Sequence, residues 1–109
     1  MIMIYSIRYA RSAIADLDDI YEYISSNFKS PETAKAQITR IKNRVKSLAQ
    51  FPKSYPVNME FSHGDIEFRV LPVNNYNVIY RVFDNHLIVK ILRVVYSRRD
   101  FNFVSINPD

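Results

Sequence analysis

The sequence predicts an α+β fold: an N-terminal strand, an antiparallel helix hairpin and then a three-stranded antiparallel meander, all within one domain of residues 1–109. Three observations carry this expectation. Apolar residues recur at helical spacing through the first half of the chain. In the second half they alternate, and β-branched and aromatic residues crowd into short runs. The links between those runs, Pro72 to Asn75 and Asp84 to His86, are short enough for hairpins, which makes consecutive strands antiparallel.

Ile2 to Tyr9 alternates and is expected to open the fold as a strand. Ser12 is placed to cap a first helix whose apolar stripe is Ile14, Leu17, Ile20 or Tyr21, Ile24 and Phe28. The remaining charges of that helix, Asp16, Asp18, Asp19 and Glu22, are all acidic. Ser30-Pro31-Glu32 starts a second helix with a capping hydroxyl, a proline whose missing N–H is harmless in the first turn, and a carboxylate at the positive end of the dipole. Ala34, Ile38, Ile41, Val45 and Leu48 form its buried stripe, and Phe51-Pro52 ends it. Its exposed charges after Glu32 are Lys35, Arg40, Lys42, Arg44 and Lys46. The short link from Asn27 to Ser30 therefore makes a hairpin of one acidic and one basic helix. Two readings of the basic run stand: it complements the first helix, or it meets nucleic acid.

Lys53 to Gly64 is proline-bearing and turn-prone, and reads as a connecting loop. Strands are expected at Ile66 to Leu71, Asn77 to Phe83 and Leu87 to Val95. Alternation in the second of these sets Asn77, Ile79 and Arg81 on one face and Tyr76, Val78 and Tyr80 on the other. In the last strand Leu87, Val89, Ile91 and Val95 fall on one face, with Ile88, Leu92 and Val94 on the other. That strand is apolar on both sides, yet two helices cover only one face of a sheet. The far face is either capped by the loop and the C-terminal tail or open to a partner chain.

Composition removes several function classes. A lone glycine, Gly64, excludes a glycine-rich phosphate loop, and the absence of cysteine excludes disulfides and thiolate chemistry. His63 and His86 sit in turns without metal-ligand spacing, so neither a metal nor a cofactor is implied. Ser97 has no nearby histidine to activate it. No window is long and apolar enough to cross a membrane, and the start lacks the features of a signal peptide. A cytoplasmic protein without a membrane partner is expected. A net charge of +4 favours acidic partners.

Function is expected between Phe68 and Phe101. Arg69, Arg81, Arg93, Arg98 and Arg99 lie there against one lysine, Lys90, a bias that suits the planar fork of guanidinium to anions. Salt bridges to Asp65, Glu67, Asp84 and Asp100 are the plainer use for them, and Asp100 is placed to orient Arg98 or Arg99. Tyr76 and Tyr80 read as core residues with hydrogen-bonded hydroxyls. Tyr96 is flanked by guanidinium groups that would favour its phenolate.

The order of elements, the central YNVIYRV, the closing ILRVVYSRRDF and the helix leading into LAQFP resemble the RelE/ParE superfamily of bacterial toxins from type II toxin–antitoxin modules, over Tyr5 to Phe101. The resemblance implies a toxin neutralised by a cognate antitoxin in a hetero-oligomer, with an antitoxin segment covering the spare apolar face. Its branches differ in target: RelE-like members cut ribosome-bound messenger RNA, and ParE-like members inhibit DNA gyrase. For RNA cleavage the matching positions are Arg69 before the Tyr76…Tyr80 segment, Tyr96 where many relatives carry histidine, and Arg98 or Arg99 at the end of the last strand. Asn77 stands where RelE-like ribonucleases carry an arginine, with Arg81 on the same strand as a substitute charge. Asn77, Arg81 and Arg93 are the expected target contacts, and the YxxxY segment and RRD ending resemble the ParE-like branch more. The rival from another class is a non-toxic basic module that binds nucleic acid or protein.

Overall fold

The expected order is present in a computed structural model described for residues 3–99 and 104–109. Strand β1 (Ser6–Tyr9) leads into helices α1 (Arg11–Asn27) and α2 (Pro31–Lys46), followed by β2 (Arg69–Val73), β3 (Tyr76–Phe83) and β4 (Ile88–Tyr96). The sheet order is β1-β4-β3-β2, with β1 parallel to β4 and the other pairs antiparallel. A parallel neighbour for β4 follows from the helix hairpin, which carries the chain back across the sheet before the meander begins.

Several element ends differ from expectation, each for a local reason. Among the described residues β1 begins only at Ser6, because the Tyr5 N–H bonds Ala49 O, in the 3₁₀ turn Ser47–Ala49 after α2, instead of joining the sheet. Ser12 does not cap α1. The helix starts at Arg11 behind Ala10, and the Ser12 hydroxyl donates to Leu92 O, 2.7 Å away. That start turns Ala13, Leu17, Ile20 and Ile24 to the core and leaves Ile14 and Phe28 at 49% and 67% exposure. Ser30 caps α2 as expected, accepting from the Thr33 N–H, with Pro31 at its first position. Strand β2 runs through Pro72, which is tolerated because β2 is an edge strand, and only Asn74 and Asn75 form the turn. Asn74 supplies the positive φ of 53° that such a tight turn needs.

The main departure lies in β4. Ile79 pairs with Arg93 and Tyr80 with Ile91, so Leu92 is an extra residue, a β-bulge. Beyond it the alternation flips: Val94 joins Val89 and Ile91 under the helices, and Val95 joins Leu92 on the far face. Strict alternation had placed Val94 and Val95 the other way round. The bulge falls where β1 has ended, and α1 takes over its unpaired edge. Ser12 holds Leu92 O, while the Asp16 carboxylate accepts from Val94 N at 2.8 Å and from Arg93 Nε and Nη2 at 2.7 and 2.9 Å.

Both faces of the sheet are covered by the chain itself. The helices and β-strands enclose Leu17, Ile41, Val45, Leu48, Leu71, Tyr80 and Ile91. On the far side Phe68, Ile79, Leu92 and Val95 pack beneath Phe61 and Ile66 of the loop and Val104 and Ile106 of the tail. The far face is thus capped and is not a free surface for an antitoxin.

Removing Asp16 leaves the Val94 N–H without a partner and the Arg93 guanidinium with only Ser105 O, in a place where both ion-pair side chains are mostly buried, 12% and 16% exposed. Asp16→Ala is expected to lower unfolding free energy by about 3 kcal/mol, measured by urea denaturation.

Candidate functional site

The five arginines divide into those that tie the molecule together and those that face solvent. Arg93 holds Asp16 and also donates to Ser105 O at 2.7 Å, joining helix, sheet and tail. Arg81 stacks over the Phe83 ring at 4.6 Å and donates to Pro108 O at 2.9 Å, with the Asp109 carboxylate 3.8 Å away. Both of these expected target contacts are engaged within the chain. Neither uses the acidic residues expected for it. Asp84 pairs with Lys53 at 2.8 Å and accepts from the Tyr5 hydroxyl at 2.6 Å, and these hydrogen bonds, Lys53's first, hold its carboxyl below the usual range. The expected role for Asp100 lies outside the described residues.

Arg69 begins β2 opposite Tyr80 and donates to the main-chain carbonyl of Tyr55. The Tyr55 hydroxyl in turn accepts from Arg44 of α2 at 2.8 Å. Tyr80, wholly buried beside them, donates to Pro52 O at 2.9 Å. Burial pushes its phenol from 10.0 up to about 12, with the Arg69 charge pulling weakly the other way. This corner therefore locks the 52–56 loop against the sheet. Tyr55 carried no sequence signal, because its role comes from a fold contact with two distant arginines.

Tyr96, Arg98 and Arg99 lie at the opposite end of the meander. Tyr96 pairs with Tyr76, four positions along β3 from the Arg69 partner Tyr80, so roughly 13 Å of strand separates the two groups. The expected catalytic set is not brought together. Asn77 sits mid-sheet between Pro72 and Val95. At the strand end, Tyr96 meets Tyr76 edge to face with centroids 6.0 Å apart, and Ser97 N and Arg99 N close a turn on Asn75 O and Tyr96 O. Burial, and then the nearby Tyr23 and Tyr96, raise the Tyr76 phenol. Tyr23 is 61% exposed and Tyr96 45%, and Arg98 and Arg99 are exposed beside them. The end of the sheet thus offers open aromatic faces next to two free-standing guanidinium groups.

A second surface was not foreseen. An apolar groove of about 580 Å³ opens beside β1 between the helices, lined by Ile7, Tyr9, Ile14, Leu17, Tyr21 and Ile38 and rimmed by Asp18, Lys42 and Lys46. Ile14, expected in the core, lies on its wall. His63, bridged to Ile66, and His86, at the end of a short 3₁₀ helix, are both exposed, the surface positions read from sequence.

Comparison with known proteins adds to this geometry. The family described as ParE toxin of the type II toxin–antitoxin system parDE matches residues 7–101. Among solved structures, the chromosomal ParDE system of P. aeruginosa is similar at 26% identity and TM-score 0.71, covering 86% of this chain and 97% of that one. The archaeal RelE–RelB complex from Pyrococcus horikoshii OT3 shares the fold at 20% identity and TM-score 0.62, covering 90% and 100%. So does the RelBE2 toxin–antitoxin complex from Mycobacterium tuberculosis, at 21% identity, TM-score 0.60 and coverage of 88% and 94%. A comparison with curated proteins gives no match.

The raised Tyr80 phenol fixes a sign. A folded value near 12 against an ordinary 10.0 means that the neutral hydroxyl stabilises the fold fully below about pH 10 and that this contribution is lost as pH rises towards about 12. Alkaline titration followed by phenolate absorbance should show one tyrosine ionising last, and Tyr80→Phe should remove that final step.

Proposed function

The chain belongs to the ParE toxin family, the toxin side of a type II toxin–antitoxin module, and from that premise we propose that it arrests growth by inhibiting DNA gyrase in the cytoplasm. One domain, 1–109, carries the activity, and a cognate antitoxin silences it in a hetero-oligomer.

The observation that carries the choice of target is the distance between Arg69 and the Tyr96, Arg98 and Arg99 cluster. Cutting RNA through its 2′-hydroxyl needs a proton acceptor, cations around the developing charge and a proton donor, all within reach of a single phosphate. Main-chain positions about 13 Å apart along a strand do not form a preassembled set around one phosphate. Arg69 already holds Tyr55 O, and Arg81 and Arg93 are occupied by the tail and Asp16. The strand end instead combines exposed tyrosine and arginine, the residue types that anchor protein–protein interfaces. That composition suits gripping a protein surface. The non-toxic module has no comparable support.

The antitoxin's place is the groove beside β1. Its apolar lining fits the apolar side of an antitoxin segment, and Lys42 and Lys46 on the rim suit acidic residues flanking that side. The capped far face does not offer this.

Purified protein should block supercoiling by gyrase and leave ribosome-bound messenger intact. Arg98→Ala with Arg99→Ala should lose that inhibition while unfolding free energy moves by less than about 0.5 kcal/mol, because both side chains are exposed. Messenger cleavage with untouched gyrase would overturn the proposed target. A carboxylate placed in the groove by Ile14→Glu should weaken antitoxin binding at least tenfold, roughly 1.4 kcal/mol, as measured by calorimetry against the parent.

A further inference from the structure

Helix α2 carries five cations outside its buried stripe, Lys35, Arg40, Lys42, Arg44 and Lys46, and all five side chains are exposed. The sequence allowed them to be complements of the acidic α1. The structure does not pair them so: among the described residues the ion pairs are Lys53 with Asp84, Arg81 with Asp109 and Arg93 with Asp16, and none joins α1 to α2. Among the described residues, no ion pair involves a cation of α2. The five cations line two separate surfaces. Lys42 and Lys46 border the apolar groove, whereas Lys35, Arg40 and Arg44 line a separate shallow trough of about 570 Å³ on the outward face, floored by Ala36, Thr39 and Asn43.

We infer that this outward face of α2 is a phosphate-backbone contact surface for duplex DNA, independent of the strand end that the gyrase reading uses. Three features select this partner. The two guanidinium groups are steadied by neighbours that leave most of their donors free: Arg40 by Gln37, itself bonded to Asn74, and Arg44 by the Tyr55 hydroxyl. The floor is made of small side chains, Ala36, Thr39 and Asn43, with no large apolar side chain of the kind that anchors a protein interface. It also has no aromatic face on which an unpaired base could stack, as single-stranded RNA or DNA would require; the nearby Tyr55 is packed against the core. What remains is a shallow trough with cations on both sides, Lys35 on one and Arg40 and Arg44 on the other, suited to phosphates.

The test is fluorescence anisotropy of a short random-sequence duplex titrated with the full chain over a range of salt. Each phosphate contact contributes a slope of about −0.9 in log affinity against log salt. The triple variant Lys35→Gln, Arg40→Gln, Arg44→Gln should therefore flatten the parent's slope by about 2.7 and bind at least tenfold more weakly at low salt. A control variant, Arg8→Gln, Arg11→Gln, Lys29→Gln, removes equal charge from exposed positions elsewhere and should keep the parent's slope. Circular dichroism confirms that both variants are folded. A triple variant with the parent's slope, a control that flattens it equally, or a parent that prefers single-stranded RNA or polyglutamate to the duplex would each overturn the inference.

Discussion

The first two turns of α1 hold a defect in β4, and much of the molecule depends on that hold. Where β1 stops, β4 would present an open edge just as it bulges at Leu92. Ser12 and Asp16, four residues apart and so on one side of the helix, satisfy the Leu92 carbonyl and the Val94 amide. Asp16 also takes both donors of the Arg93 fork. Without these partners the bulge would carry unpaired main-chain groups in a largely buried place, at about 1–3 kcal/mol each.

The bulge has consequences on both faces. By flipping the alternation it sends Val94 under the helices and Val95 to the other side, so one strand feeds two apolar clusters. The far cluster would be exposed by a two-helix fold alone, and the tail residues Val104 and Ile106 close it. Arg93, Arg81 and Lys90 fasten that tail through the main-chain oxygens of Ser105, Pro108 and Asp109. Basic residues that looked functional in sequence are thus used to retain an extended segment that has no sheet partner of its own.

This explains how much could be read in advance. Element order, the Ser30-Pro31 helix start and the two faces of β3 follow from spacing and local chemistry, and these the sequence displays. The bulge left a faint trace, the adjacent apolar pairs Ile91-Leu92 and Val94-Val95, which strict alternation cannot place, but no glycine or proline marked it. Asp16 could not be told from Asp18 and Asp19, since its importance arises 77 residues away at Arg93. The same limit applied to Arg69. Its position in a strand was legible, but its bond to the Tyr55 carbonyl depends on how a proline-bearing loop folds back.

The cations therefore sort by location: Arg69, Arg81, Lys90 and Arg93 within the sheet hold the fold, and those at the end of β4 and on the outer face of α2 are exposed. Hydrogen exchange on the protein alone and bound to gyrase tests this division most directly. The account predicts new protection at the turn around Asn75 and from Tyr96 to Arg99, with exchange around Tyr55 and Arg69 unchanged. Protection centred on Tyr55 and Arg69, with Tyr96 to Arg99 exchanging freely in the complex, would contradict it.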